Sequence, residues 1–234
     1  MIKKLGSLLW YDQEESCLLC SAKSVEPICS GCREEYFQPR SSRCPSCGKL
    51  IGNLSERCKD CSSGIGPKTL DKVVSLGYYG GAWRDLICNV KYKGQPYLLL
   101  RLSDYMISCT VNNLPPPDAV VPIPMHPNKL AERGFNQTEV LASILSGKLG
   151  IQLRHYLIRT KDTAPQTSLG RNERIQNLRG VFQVKEGVKL KDKIIWLVDD
   201  VITTGATLGE SAKILKENGV KEIYAFCLGA GKEE

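Results

Sequence analysis

The stretch Ile195–Leu208, IWLVDDVITTGATL, concentrates side chains that could do chemistry. Four apolar residues end on two adjacent carboxylates, Asp199 and Asp200. Val-Ile follows, then the small, hydroxyl-rich turn Thr203-Thr204-Gly205-Ala206-Thr207, then a helical pattern. A short β-rich apolar run reads as a buried strand. The turn opens a helix, whose backbone N–H groups and positive dipole end form an anion site suited to phosphate. Gly205 allows close backbone approach, and the three threonines add hydroxyl donors. The carboxylates stand at the carboxyl end of the strand, where open α/β sheets bind ligands. A phosphate cradle beside two hydroxyl-seeking carboxylates describes a ribose 5-phosphate. The alternative is an Asp-Asp turn that merely caps a helix.

The second constellation is four C-x-x-C pairs within residues 17–61: Cys17/Cys20, Cys29/Cys32, Cys44/Cys47 and Cys58/Cys61. A two-residue gap lets both sulfurs of a tight turn reach one ion, and thiolate suits Zn²⁺. Disulfides and an iron–sulfur cluster are the competing uses of the same thiols. Sequential pairing gives Cys17, Cys20, Cys29 and Cys32 to one ion and Cys44, Cys47, Cys58 and Cys61 to the other, a double zinc ribbon. An interleaved cross-brace stays open. Eight protein ligands leave no coordination position free, so both sites read as structural. The segment has little apolar content, so metal binding must supply much of its folding free energy. Cys88, Cys109 and Cys227 lie in apolar surroundings and read as core residues.

The remaining pattern must position these groups. Ser62–Lys68 reads as a linker, dividing the chain into a cysteine-rich module (1–66) and an α/β domain (67–234). Leu70–Tyr79 is expected to be a strand, Ala82–Tyr92 a helix ending on Lys91, Lys93 and Gly94, and Pro96–Val111 a second helix. Asn112–Asp118, with three successive prolines, is a stiff connector. Ala119–Ile123 is a short buried strand. It runs into a loop, Pro122–Asn136, carrying Lys129 and Arg133 near Gly134, with His126 as a lone histidine that could cap a helix. A helix over 137–149, a strand over 151–158, a long loop over 159–180 and a strand from Val181 follow. Lys193–Val198 is the central strand, 206–218 its helix with Gly219 as the stop, and Glu222–Leu228 closes the sheet. The β-α-β-α order predicts a parallel, Rossmann-like sheet.

The string LVDDVITTGAT resembles the phosphoribosyl-pyrophosphate signature of type I phosphoribosyltransferases. That resemblance implies that Asp199 and Asp200 take the ribose hydroxyls and that Thr203, Thr204, Gly205, Ala206 and Thr207 hold the 5′-phosphate. It places Lys129 and Arg133 near pyrophosphate, makes 159–180 a closing loop whose Arg171 and Arg174 meet the leaving group, and implies Mg²⁺. Four paired-cysteine knuckles, VPIPMHPNKLAERGFNQ, Gln166-Thr167 with Arg174 and Asn177, and LVDDVITTGAT together resemble the ComF family of competence proteins over nearly the whole chain. That family implies a role in DNA uptake during natural transformation, single-stranded DNA as a partner, and a helicase or uptake-machinery partner. A non-enzymatic binding protein, with the phosphoribosyl site as sensor or vestige, is the other function class. One departure stands out. Enzymes of 6-oxopurine salvage carry an Asp just before this Thr-Gly, where Thr203 stands here. The chain also ends six residues after Leu228, so any base-binding hood must come from Leu70–Val111 or the cysteine module, and no acceptor residue is assigned.

Composition bounds these readings. The 234 residues, 42% hydrophobic and 24% charged, suffice for one good-sized domain plus a small module. The net charge of +7 counts every cysteine as neutral. Four thiolates around one Zn²⁺ carry −2, so two loaded sites lower the total to +3. The +5 of residues 69–234 (22 Lys+Arg against 17 Asp+Glu) is untouched, which allows a basic surface there. The N-terminal apolar patch is too short for an export signal, no run is long enough to span a membrane, and eleven cysteines point to metal over disulfides. A cytoplasmic protein is expected.

Overall fold

In a computed structural model, which describes residues 16–38, 42–52, 56–162, 173 and 176–233, short helical turns α1 (Ser30–Cys32, running into a π-turn over Arg33–Phe37) and α2 (Lys59–Ser62) follow cysteine knuckles. The α/β part then reads β1 (Lys72–Tyr78), α3 (Gly81–Tyr92), α4 (Leu98–Arg101), α5 (Ser103–Val111), β2 (Ala119–Pro122), α6 (Pro127–Arg133), α7 (Gln137–Leu149), β3 (Leu157–Arg159), β4 (Phe182–Val184), β5 (Ile194–Ile202), α8 (Ala206–Glu217) and β6 (Glu222–Ala230). Four strands form one sheet in the order β1-β6-β5-β2, and all three pairings are parallel. The parallel α/β sheet expected from the alternating pattern is present.

Parallel sheets bury both faces, and the strand sequences are accordingly mostly apolar, with the acidic pair of β5 as the main interruption. Ile195, Leu197, Ile223, Ala225 and Cys227 pack with Leu208, Ala212 and Leu215 of α8 on one face. Trp196, Val198, Phe226 and Leu228 pack with Trp83, Leu86 and Val90 of α3 and Leu141 and Leu145 of α7 on the other. Trp83 and Trp196 are each fully buried, and each indole N–H is satisfied by a carbonyl: Leu228 O at 3.0 Å and Pro115 O at 2.9 Å.

Several elements differ from the sequence expectation. The helix over Pro96–Val111 breaks at Leu102 into α4 and α5. The loop after β2 holds a helix, α6, because Pro127 at its first position presets φ and His126 Nδ1 accepts the Asn128 N–H at 3.3 Å. The strand expected over 151–158 is divided between two sheets. Leu153 bridges Val120 in parallel, and β3 turns away to pair antiparallel with β4. The central strand runs on to Ile202, so Asp199 and Asp200 lie within β5 rather than beyond it. Cys227 is core as expected, whereas Cys88 and Cys109 are only partly buried.

The cysteine module is docked against the sheet rather than hung from a linker. Leu50 N donates to Gly231 O (3.3 Å), Glu233 N to Leu50 O (3.0 Å) and Val73 N to Pro45 O (2.8 Å). Phe37 meets Trp83 edge-on at 5.0 Å and Tyr105 at 5.5 Å. Ser62–Lys68, a linker by composition, is held too: Ile65 N and Gly66 N donate to Asp60 O, Pro67 is buried, and Thr69 Oγ1 donates to Gly209 O at 2.9 Å. Burial against the domain is therefore a source of this module's stability beside any metal its cysteines could hold.

Candidate functional site

Strand alternation decides how the acidic pair is used. Neighbouring residues of β5 point to opposite faces, so two adjacent carboxylates cannot form one two-toothed cup. Asp200 turns toward α3 and α7. Its Oδ2 lies 2.9 Å from Lys91 Nζ and accepts Gln137 Nε2 at 2.7 Å. Asp199 turns the other way, toward the side where β3 brings Arg159 over the Phe182 ring at 5.7 Å. Asp199 Oδ1 accepts its neighbour's N–H, Asp200 N, at 2.8 Å.

Both carboxylates are nearly inaccessible, Asp199 at 9% and Asp200 at 6% exposure. Burial, reinforced by the adjacent Asp200 charge, pushes the Asp199 carboxyl up to about 7, although Asp200 N–H, Lys91 and Arg159 oppose the shift. Burial of Lys91 works against its ammonium, yet the Asp200 carboxylate outweighs it and raises the group above its ordinary value. Arg133 extends the chain of contacts: its guanidinium donates to Gln137 Oε1 at 2.7 Å and lies 5.1 Å from the centre of the Tyr92 ring. Lys91 and Tyr92 are adjacent on α3, so the contacts close a ring: Lys91, Asp200, Gln137, Arg133, Tyr92.

A cavity of ≈ 980 Å³ opens at the carboxyl ends of β1, β2 and β5. Asp199, Asp200, Thr203 and Thr207 line it from the β5 side, Lys129 and Arg133 from α6, and Arg84 and Lys91 from α3. Of the residues singled out in the sequence, the two aspartates, Thr203, Thr207, Lys129 and Arg133 thus share one cavity. Thr204, Gly205 and Ala206 form the turn behind it, with the Thr204 hydroxyl accepting Ala206 N at 3.3 Å. Gly205 has φ +77°, in the left-handed region that favours glycine, and the space its Cβ would fill is taken by Pro67, 2.7 Å away at Cδ. Lys129 lies 3.6 Å from Asp162, which also faces His126 at 3.6 Å. Arg171 and Arg174, with Gln166 and Thr167, fall outside the described residues.

Sequence reasoning missed Lys91, Gln137 and Arg159. Lys91 reads as an ordinary cation in the last turn of an amphipathic helix, yet its side chain is only 17% exposed. The one available signal was its helical spacing: it follows the buried face of Trp83, Leu86, Ile87 and Val90 by a single position.

The cysteines gather into two groups of four, Cys17, Cys20, Cys29, Cys32 and Cys44, Cys47, Cys58, Cys61, the sulfurs of each lying within 4.8 Å of one another. These are the sequential groupings, and either group could hold a zinc ion. Tetrahedral Zn–S bonds of about 2.3 Å set sulfurs roughly 3.8 Å apart. Cys20 and Cys29 sulfurs stand at 3.7 Å, and Cys47 and Cys58 at 3.5 Å. Backbone N–H groups of Leu19 and Cys29 point at Cys17 Sγ, both at 3.4 Å, which favours its thiolate. Burial would raise the Cys17 thiol, but donors from Cys29, Cys20 and Leu19 prevail and lower it to about 6. In the second group burial and neighbouring thiols push Cys61 up to about 12. Crowded sulfurs with opposed tendencies fit a site that a cation completes.

Residues 136–234 match the Phosphoribosyl transferase domain family. Competence protein F of Haemophilus influenzae is 30% identical over 208 residues, covering 86% of this chain and 89% of that protein. This chain belongs to the ComF family. Two further ComF relatives agree in extent. The DNA utilization protein YhgH of Salmonella typhi is 32% identical over 221 residues, covering 91% of this chain and 95% of that protein. Competence protein ComFC of Streptococcus pneumoniae is 30% identical over 227 residues, covering 95% and 92%. The ComF chain therefore joins a phosphoribosyltransferase-type domain to two Cys₄ groups. Among the described residues no helix is long and apolar enough to cross a membrane.

Proposed function

We propose that this ComF protein binds phosphoribosyl pyrophosphate in the cavity at the carboxyl end of β5 and supports DNA uptake. The observation that carries the reading is the sharing of one cavity by the acidic pair, the threonines at the start of α8, and the cations of α6. The 5′-phosphate rests on the turn Thr203–Thr207, where α8 opens at Gly205 with no side-chain cap on that residue. The ribose hydroxyls face Asp199 and Asp200. The pyrophosphate meets Lys129 and Arg133, and the sequence resemblance gives Arg171 and Arg174 the same role. The work is positioning and charge stabilisation: an acceptor nucleophile forms the new bond to the ribose C1 as the pyrophosphate oxygen leaves.

Mg²⁺ belongs to this reading through oxygen ligands. Asp200 Oδ2 is already committed to Lys91 and Gln137, and Asp199 Oδ1 to a backbone N–H. Asp199 Oδ2 and Asp200 Oδ1, on opposite faces of β5, are the oxygens left over, and either one would suit a hydrated cation carried in with the ligand. Such an ion would neutralise the departing pyrophosphate. Zn²⁺ in both Cys₄ groups is structural.

The relatives' names, competence and DNA utilization, support DNA as the context; single-stranded DNA and a helicase or uptake-machinery partner are what this reading adds to it. The rim residues Arg84, Tyr92 and Arg133 supply cation and aromatic surface suited to a single strand. The same chemistry serves a non-enzymatic binder, and a cytoplasmic location follows from either. The deciding experiment is calorimetry of the zinc-loaded protein with phosphoribosyl pyrophosphate, with and without Mg²⁺. Mg²⁺-dependent binding lost in the Asp199→Asn/Asp200→Asn variant supports the site. Unchanged affinity in that variant removes the ribose assignment.

A further inference from the structure

The second Cys₄ group and the turn proposed to hold phosphate are far apart in sequence but adjacent in the fold. Gly66 packs so closely on Cys61 that a Cβ there would run into the Cys61 sulfur. Ile65 N and Gly66 N both donate to Asp60 O, at 2.8 and 3.2 Å. Asp60 is itself fixed by Lys49 Nζ at 2.5 Å. The next residue, Pro67, is buried against the turn: Cβ atoms built on Gly205 and Gly209 would lie 2.7 and 3.5 Å from its ring. Two residues on, the Thr69 hydroxyl donates to Gly209 O at 2.9 Å, holding the same first turn of α8.

We propose that Pro67 is a positioning residue for the Thr203–Thr207 turn, held in place through Gly66 by Cys61 and the second Cys₄ group. This rests on the phosphoribosyl reading for its functional consequence, though not for its geometry. A ring pressed on the α-carbon of a left-handed glycine limits where the following N–H groups can point. Proline suits the task because its φ is fixed and it has no N–H to satisfy in a buried spot. The first Cys₄ group clusters with Trp83, Leu86 and Leu102 on the opposite face and, among the described residues, has no such route to the turn. Cys61 of the second group is thus linked to the turn through Gly66 and then by two parallel contacts, Pro67 to Gly205 and Thr69 to Gly209.

The test is amide hydrogen exchange of residues 203–209 in the full-length zinc-loaded protein, with zinc content measured alongside. Pro67→Ala and Cys61→Ser are expected to speed exchange there about tenfold or more, with Cys20→Ser, in the first group, at the wild-type rate. Thr69→Val should give a smaller rise in the same residues and keeps the test readable if Cys61→Ser does not fold. Pro67→Ala should also weaken ribose 5-phosphate about tenfold while leaving inorganic pyrophosphate affinity unchanged, a split that general destabilisation would not give. Wild-type exchange in Pro67→Ala, or equal effects of Cys61→Ser and Cys20→Ser, would overturn the proposal. If exchange responds as expected but the wild-type protein does not bind ribose 5-phosphate, the positioning stands and the phosphoribosyl reading falls.

Discussion

Lys91 Nζ lies 2.9 Å from Asp200 Oδ2, with the two side chains only 17% and 8% exposed. The end of one helix thereby supplies the cation for a carboxylate near the carboxyl end of β5. The pair joins the segment before β2 to the phosphoribosyltransferase-type half of the chain. It also sets what a ligand must contend with, because a ribose hydroxyl or a cation that takes Asp200 must share it with Lys91 and Gln137.

Removing one partner of such a pair strands the other. Lys91→Met is expected to cost about 3 kcal/mol in urea unfolding, because Asp200 is left buried without its cation. Lys91→Arg should recover part of that loss. A Lys91→Met protein as stable as wild type would show that the pair contributes nothing.

Asp199 gives the site a pH signature. Its folded-state value of about 7 lies above the ordinary 3.8, so the folded protein holds this proton more tightly than the unfolded chain. The sign follows: the contribution favours folding at low pH and is lost as pH rises from about 4 to about 7. Asp199→Asn should flatten stability across that window and leave the protein more stable than wild type at pH 8. Parallel stability curves for the two proteins would contradict this.

Metal analysis checks the cysteine grouping. With both groups loaded, the protein should carry two zinc ions per chain. Cys44→Ser should lower this toward one, and so should Cys17→Ser. Cys17→Ser/Cys29→Ser together should still leave one ion, because both belong to the first group; loss of both ions in that double variant would point to an interleaved arrangement. Chelation at elevated temperature should lower the thermal midpoint, since metal binding is part of the folding free energy.

Gly205 has two reasons to be glycine, a φ of +77° and the Pro67 ring in the space of its Cβ. Gly205→Ala is expected to cost about 2 kcal/mol and to abolish ribose 5-phosphate binding. Gly147, with open space around it on α7, is the control. Gly147→Ala should be neutral or slightly stabilising, through helix propensity. Equal behaviour of the two alanine variants would remove the steric argument.

Much of this protein was legible in its sequence because the relevant signals are local. The C-x-x-C spacing marks paired metal ligands wherever the knuckles end up, and the two sequential groups are those that the fold assembles. The apolar run, acidic pair and small-residue turn of Ile195–Leu208 specify a strand, a turn and a helix within a few residues of one another. The alternation of strands and helices was enough for a parallel sheet. Tertiary context decided the rest. Leu153 and β3 went to separate sheets because each found a different partner strand, which local propensity does not encode.

The sequence by itself singled out the candidates for chemistry: eight cysteines in four pairs, two aspartates, and a threonine-rich turn. It could not say that strand alternation splits Asp199 from Asp200, nor that Lys91 would answer Asp200 across 109 residues. It could not say that Pro67, in a segment composed like a linker, would lie buried against Gly205. Ion pairs and packing contacts depend on distance in space, and that distance exists only once the sheet has brought β5, α3 and the second cysteine group together. The types of the residues were written locally, and their partners were chosen by the fold.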